Sequence, residues 1–167
     1  MNIFNLIKYI ILFFIIIFFE TNVIHLFAVL NTTPDLVLIF VLIISLKEPR
    51  STAIIFAFFA GLVQDAFITQ FFGLSALSKL IVVLLGTFFQ QAKKKYDLVH
   101  FTSTFAFLIF THEFIYQMVY SLGTHLGFFR LLFYYIFPKT LYTLVVSVMV
   151  YLMFHQYLWK SKTDYTS

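Results

Sequence analysis

The sequence predicts an all-α integral membrane protein with about six transmembrane helices, and three observations lead there. Of its 167 residues 62% are hydrophobic and only 11% are charged, against about 25% charged in an average soluble domain. Such a chain cannot clothe a compact core in polar surface. Its mean hydropathy of +0.97 also excludes disorder, because that much apolar area cannot stay solvated. The apolar residues fall into runs near the length that crosses a bilayer, and the Lys and Arg residues between the runs alternate in abundance. With no Cys in the chain, disulfide staples, Cys-ligated zinc and thiol catalysis are ruled out.

A helix rising 1.5 Å per residue needs roughly 20 mainly apolar residues to cross the hydrocarbon core. Six stretches qualify, at about 3–30, 35–46, 51–69, 73–92, 98–122 and 136–159, within one polytopic membrane domain, 1–167. The first continues past Glu20 and has no small-x-small cleavage site, so it is expected to be a retained span rather than a signal peptide. The second is short: it starts earlier, lies buried among its neighbours, or meets a thinned bilayer. Pro138 falls near the first turn of the sixth, where proline is tolerated. The aromatic stretch between Leu122 and Tyr135 suits the outer interface.

Cytoplasmic loops carry the excess of Lys and Arg. With both termini inside, Lys8, Lys47, Arg50, Lys93, Lys94, Lys95, Lys160 and Lys162 are cytoplasmic, Arg130 and Lys139 are outside, and Lys79 lies within a span. The net charge of +4 is thereby explained as topology, and no nucleic-acid partner is implied.

Catalytic patterns are missing. His112-Glu113 begins like a zinc-protease helix, but Tyr116 stands where the second histidine belongs. The five histidines share no metal-ligand spacing, and there is neither a Gly-x-Ser-x-Gly elbow nor a phosphate-cradling loop. No enzyme, cofactor or metal is expected. Asn31-Thr32-Thr33 is a chance-level sequon, and Gly123-x-x-x-Gly127 lies outside the apolar runs.

The informative residues are polar ones in expensive places, since a charge at mid-membrane costs about 2.5–3.5 kcal/mol on insertion scales. Ala53, Ala57, Gly61 and Asp65 recur every fourth residue and share one helix face. They form either a packing seam within the chain or a contact for a partner or ligand. Under the partner reading, Gly61→Leu should abolish association without stopping insertion. Asp65 and Lys79 lie at similar depths on successive antiparallel spans, which suggests an ion pair. Glu113, with Tyr116 and Tyr120 on its face, is expected to hydrogen-bond a neighbouring helix, and His112 is expected on another face. Glu20 and His25 are expected to snorkel or line a shallow outer cavity.

The run Pro34-Asp35-Leu36-Val37-Leu38-Ile39, then Ala60-Gly61-Leu62-Val63-Gln64-Asp65, then Phe72-Gly73-Leu74-Ser75-Ala76-Leu77, resembles the rod shape-determining protein MreD family. Glu113-Phe114-Ile115-Tyr116 and Ile136-Phe137-Pro138 resemble it more weakly. Phe72 replaces a leucine, and Lys79 is a charge where the family pattern is apolar. The resemblance implies a bacterial cytoplasmic-membrane protein of the wall-elongation machinery, non-enzymatic and needed for cell shape. It implies an MreC-family partner and links to MreB, a RodA-type glycosyltransferase and a class B penicillin-binding protein. It also implies a fold like the six-helix substrate-binding subunit of energy-coupling-factor vitamin transporters. That likeness keeps open a second reading, a small-molecule transporter subunit with a pocket of Asp65, Gln64, Gln70 and Lys79. Candidate packing or partner contacts are therefore Pro34, Asp35, Ala53, Ala57, Gly61, Asp65, Gly73, Leu74, Ala76, Leu77, Lys79, Glu113 and Pro138.

Overall fold

The computed structural model describes residues 3–23, 26, 28, 32–68, 71–90, 98–122 and 127–159. Gln70, His25, Asn31, Gly123, Lys93, Lys94, Lys95, Lys160 and Lys162 lie outside them. The helices are α1 (Ile3–Asn22), α2 (Leu36–Lys47), α3 (Arg50–Ile68), α4 (Leu74–Gln90), α5 (Leu98–Tyr120), α6 (Phe128–Leu131) and α7 (Phe137–Trp159), with a π-helical turn (Leu132–Ile136) joining the last two. Counted as continuous rods, with α6, the π turn and α7 as one, they number six. Among the described residues three stretches are long and apolar enough to cross a membrane, Arg50–Phe67, Leu98–Tyr120 and Phe128–Met153, while Leu36–Lys47 and Leu74–Phe89 are shorter apolar helices.

Local chemistry fixes the ends. α1 stops at Asn22, short of the expected Leu30; in its last turn Thr21 Oγ1 donates to the carbonyls of Ile17 and Phe18, and Asn22 Nδ2 donates to that of Phe18. These side chains give second bonds to carbonyls of the last turn, the back-bonding by which Ser, Thr and Asn compete with regular helix. Asp35 caps α2, accepting from Leu38 N at 2.6 Å, and Glu48 N closes its other end on Ile44 O before Pro49. The sixth rod begins eight residues before the expected 136. Phe137 N bonds to Leu132 O, five residues back, which is the π register. Pro138 follows and has no N–H to give to Tyr134. The aromatic residues expected at the outer interface are thus partly helical, and Phe129, Phe133 and Tyr134 stay exposed.

α2 is short because it is an inner helix. Val37, Leu38, Val41, Leu42 and Ile44 are all buried, so it is apolar all round, as an enclosed helix must be. It divides the core in two. On one side Phe13 and Ile17 of α1 and Ala53, Ala57 and Ala60 of α3 meet Val37, Phe40, Val41 and Ile44. On the other, Phe101, Phe105, Leu108 and Ile109 of α5 and Tyr151 of α7 meet Leu38 and Leu42. α1 turns Ile11, Phe14, Ile15 and Phe18 outward.

The small-residue stripe of α3 faces the interior. A Cβ added at Gly61 would lie 2.3 Å from Ala76 Cα and 2.6 Å from Ala76 N, so α3 and α4 touch backbone to backbone there. The stripe therefore packs within the chain, and the partner contact expected at Gly61 has no open face. Gly61→Leu acts on folding instead. We expect Gly61→Ala to cost at least 1–3 kcal/mol by overpacking, while Leu77→Ala, at a position 52% exposed, changes little. Thermal unfolding of the two variants in detergent checks this; equal midpoints would contradict the close approach.

Candidate functional site

Helices α1, α3 and α5 end, and α2, α4 and the sixth rod begin, at one end of the bundle, and buried polar residues converge beneath it. The N-terminus of α2 organises them. Its first turn exposes N–H groups that no residue of the helix can accept, and two carboxylates from different parts of the chain accept them. Asp35 takes Leu38 N, and Glu20 of α1 takes Val37 N at 2.9 Å. The other Glu20 oxygen accepts from Gln64 Nε2 of α3 at 2.8 Å. Glu20 is thus a buried cap shared between helices, not a snorkelling residue. Asp35 N in turn donates to Thr143 Oγ1 of α7.

The other Asp35 oxygen receives Lys79 Nζ of α4 at 3.0 Å, with the lysine side chain fully buried. The expected partnership of Lys79 with Asp65 is therefore incorrect. Asp65 spends its carboxylate on the start of α4, accepting from Gly73 N (2.9 Å), Ser75 N (3.1 Å) and Ala76 N (3.3 Å). The turn that allows this needs Gly73 at φ +95°, a conformation that side-chain-bearing residues adopt only with strain. Helix-terminus geometry decides the pairing: a carboxylate at a helix N-terminus meets several N–H groups and the positive end of the dipole. Depth along the spans carries no information about this.

Beside that pair, Glu113 of α5 lies 3.2 Å from Lys139 Nζ of α7. His112 Nδ1 is 3.5 Å from Glu113 Oε1, so the two are neighbours in space, against the expectation of separate faces. The tyrosines follow the histidine: His112, Tyr116 and Tyr120 stack in sequence with centroids 6.0 Å apart. Lys139 Nζ sits 5.3 Å over the Tyr116 ring, within cation–π range. His112 Nε2 reaches Ser78 Oγ of α4 at 3.1 Å.

The remaining expected positions divide by burial. Pro34, Leu74 and Ala76 are buried, as are Ala53 and Ala57 in the core beside α2, whereas Pro138 is half-buried and Leu77 faces outward. The inner face of α7 carries a weak sequence signal: Thr140, Thr143, Ser147 and Tyr151 recur at helical spacing and are all buried, and Thr143 is the one bonded to Asp35. Lys139 looks like an interfacial topology charge and gives no sign of its inward course.

Chemically, the arrangement ties α1, α2, α3, α4, α5 and α7 together with ionic and charge-assisted contacts in a medium of low dielectric. Asp35, His112 and Glu113 each present a ligand-type atom within 4.8 Å of one another, but Lys79 and Lys139 already supply cationic charge to those carboxylates. The fold and these inward-turned charges define a helical membrane protein whose described polar groups turn largely into its own bundle. The chain matches the family of the rod shape-determining protein MreD over residues 2–161, and it belongs to that family. The family is a structural component of rod shape determination and not a known enzyme family. No curated protein and no solved structure matches the chain.

Breaking one partner of a buried pair leaves an uncompensated charge, at about 3–5 kcal/mol, whereas neutralising both is far milder. Lys79→Met alone should therefore lose that much stability, and Asp35→Asn with Lys79→Met should recover most of it, since Asn still caps. Exchanging Asp65 and Lys79 should rescue nothing. Unfolding midpoints of the purified variants test all three; rescue by the Asp65–Lys79 exchange would overturn the assignment.

Proposed function

We propose that the chain acts as a non-enzymatic scaffold of the bacterial wall-elongation machinery, a multi-pass protein of the cytoplasmic membrane working as one polytopic domain. The observation that carries this is the family match across nearly the whole chain. Its partners are an MreC-family protein and, through it, MreB, a RodA-type glycosyltransferase and a class B penicillin-binding protein. Both termini are cytoplasmic in this reading, supported by the Lys and Arg asymmetry, so the charge network lies toward the extracytoplasmic side.

The commitments of the polar side chains favour a scaffold over the alternative of a vitamin-type transporter subunit. Gln64, Asp65 and Lys79, which a ligand pocket would have needed, are engaged with Glu20, the start of α4 and Asp35. Partner helices then meet the outward apolar faces, where association in lipid comes from packing rather than from hydrophobic burial.

Affinity purification of a tagged chain in mild detergent, with mass spectrometry of what is retained, tests the reading. Recovery of an MreC-family protein with wall-synthesis enzymes is the expected result. Recovery of paired ATPases with a second transmembrane subunit would replace it with the transporter reading.

A further inference from the structure

We propose that the end of the bundle opposite the buried charge network holds the headgroup of an anionic phospholipid, seated among Lys8 of α1 and Lys47 and Arg50 of the turn between α2 and α3. Three elements meet at this corner. Tyr9 of α1 donates its hydroxyl to Glu48 Oε1 at 2.8 Å, which sets α1, at the level of Lys8, against the turn. Arg50 reaches from the turn to α4, its guanidinium carbon 5.0 Å from the centroid of the Phe88 ring. Three cations against the one carboxylate of Glu48 leave two positive charges here.

A topology charge need only lie on the correct side of the membrane. Arg50 has a seat as well. It is exposed, and among the described residues no carboxylate pairs with it. A guanidinium held against an aromatic ring keeps N–H groups for a phosphate, which its fork meets in a bidentate way.

The surface beyond the cations is apolar, with Ile55, Phe58, Phe59 and Phe88 all exposed. Cations beside bare apolar side chains match the two parts of a phospholipid: the phosphate meets the first and the acyl chains meet the second. An acidic protein segment would answer the charges and leave the apolar part uncovered, so the chemistry favours the lipid. In the proposed orientation the site faces the cytoplasmic leaflet. It does not depend on the scaffold role.

The test titrates the full chain in a neutral detergent with dioleoyl phosphatidylglycerol or dioleoyl phosphatidylcholine, and native mass spectrometry reads the lipid bound per chain. The expected result is preferential retention of phosphatidylglycerol, weakened roughly fivefold for each cation removed in Arg50→Gln or Lys47→Gln. Arg130→Gln, at an exposed position of the other end, leaves it unchanged. Phe88→Leu keeps every charge and the apolar surface, yet weakens retention by unseating Arg50. Equal retention of the two lipids overturns the proposal. So does an equal loss in Arg130→Gln and Arg50→Gln, which would reduce the preference to overall charge. Unchanged retention in a folded Phe88→Leu overturns the seat of Arg50. Binding of a polyglutamate peptide that is lost in Arg50→Gln, with no preference between the lipids, assigns the corner to an acidic protein instead. Should Arg50→Gln not fold, Lys47→Gln and Phe88→Leu give the decision.

Discussion

The structure depends on how α2 begins. Twelve residues make a helix about 18 Å long, well short of the roughly 30 Å hydrocarbon thickness, so its N-terminus ends among other helices. Unsatisfied N–H groups there would cost several kcal/mol each in a setting without bulk water. Asp35 and Glu20 remove that cost but bring two carboxylates inside, and Lys79 then answers Asp35. The burial of Lys79 is thus a consequence of where a short helix starts. Gln64 and Thr143 complete the junction from α3 and α7. One backbone requirement accounts for three of the charges turned into this bundle, Glu20, Asp35 and Lys79.

That explains which parts of the fold were legible in sequence. Helix number follows from apolar length, which is local, and the shortness of the second helix was visible together with burial as one of its explanations. The stripe of Ala53, Ala57 and Gly61 was also legible, because helical spacing puts those residues on one face. Its destination was not, since small residues permit close approach to any helix, and only the contact with Ala76 shows that α4 takes the place. The Asp65–Lys79 pairing failed for a different reason. Matching charges by depth ignores the competition from backbone N–H groups, and at a helix start those groups win. Asp65 had signalled as much by standing eight residues before a glycine.

The π turn ahead of Pro138 was illegible because proline at the start of a helix and proline after a π turn look alike in sequence. Its effect is large. One extra residue in a turn rotates everything beyond it by about 100°. Phe133 and Tyr134 remain outside while Lys139, five residues after Tyr134, turns inward to Glu113 and over Tyr116. A regular helix through this segment would give the lysine a different bearing relative to the aromatic face.

The scaffold role proposed for this chain makes two demands that conflict within one helix. Its own helices must hold a single arrangement without help from the hydrophobic effect, because lipid is as apolar as leucine. Its outer faces must meanwhile be free for other helices. Turning charges inward satisfies the first demand, since a buried ion pair or cap penalises every arrangement that leaves it unmatched. It satisfies the second by leaving apolar surface outside, where Ile11, Phe14, Ile15 and Phe18 of α1 face outward and association with a partner costs no desolvation of charge. The same division argues against an exposed polar contact as the basis of partner choice in the membrane plane. Specificity would instead come from the shape of the outer surface, which the inward network keeps constant.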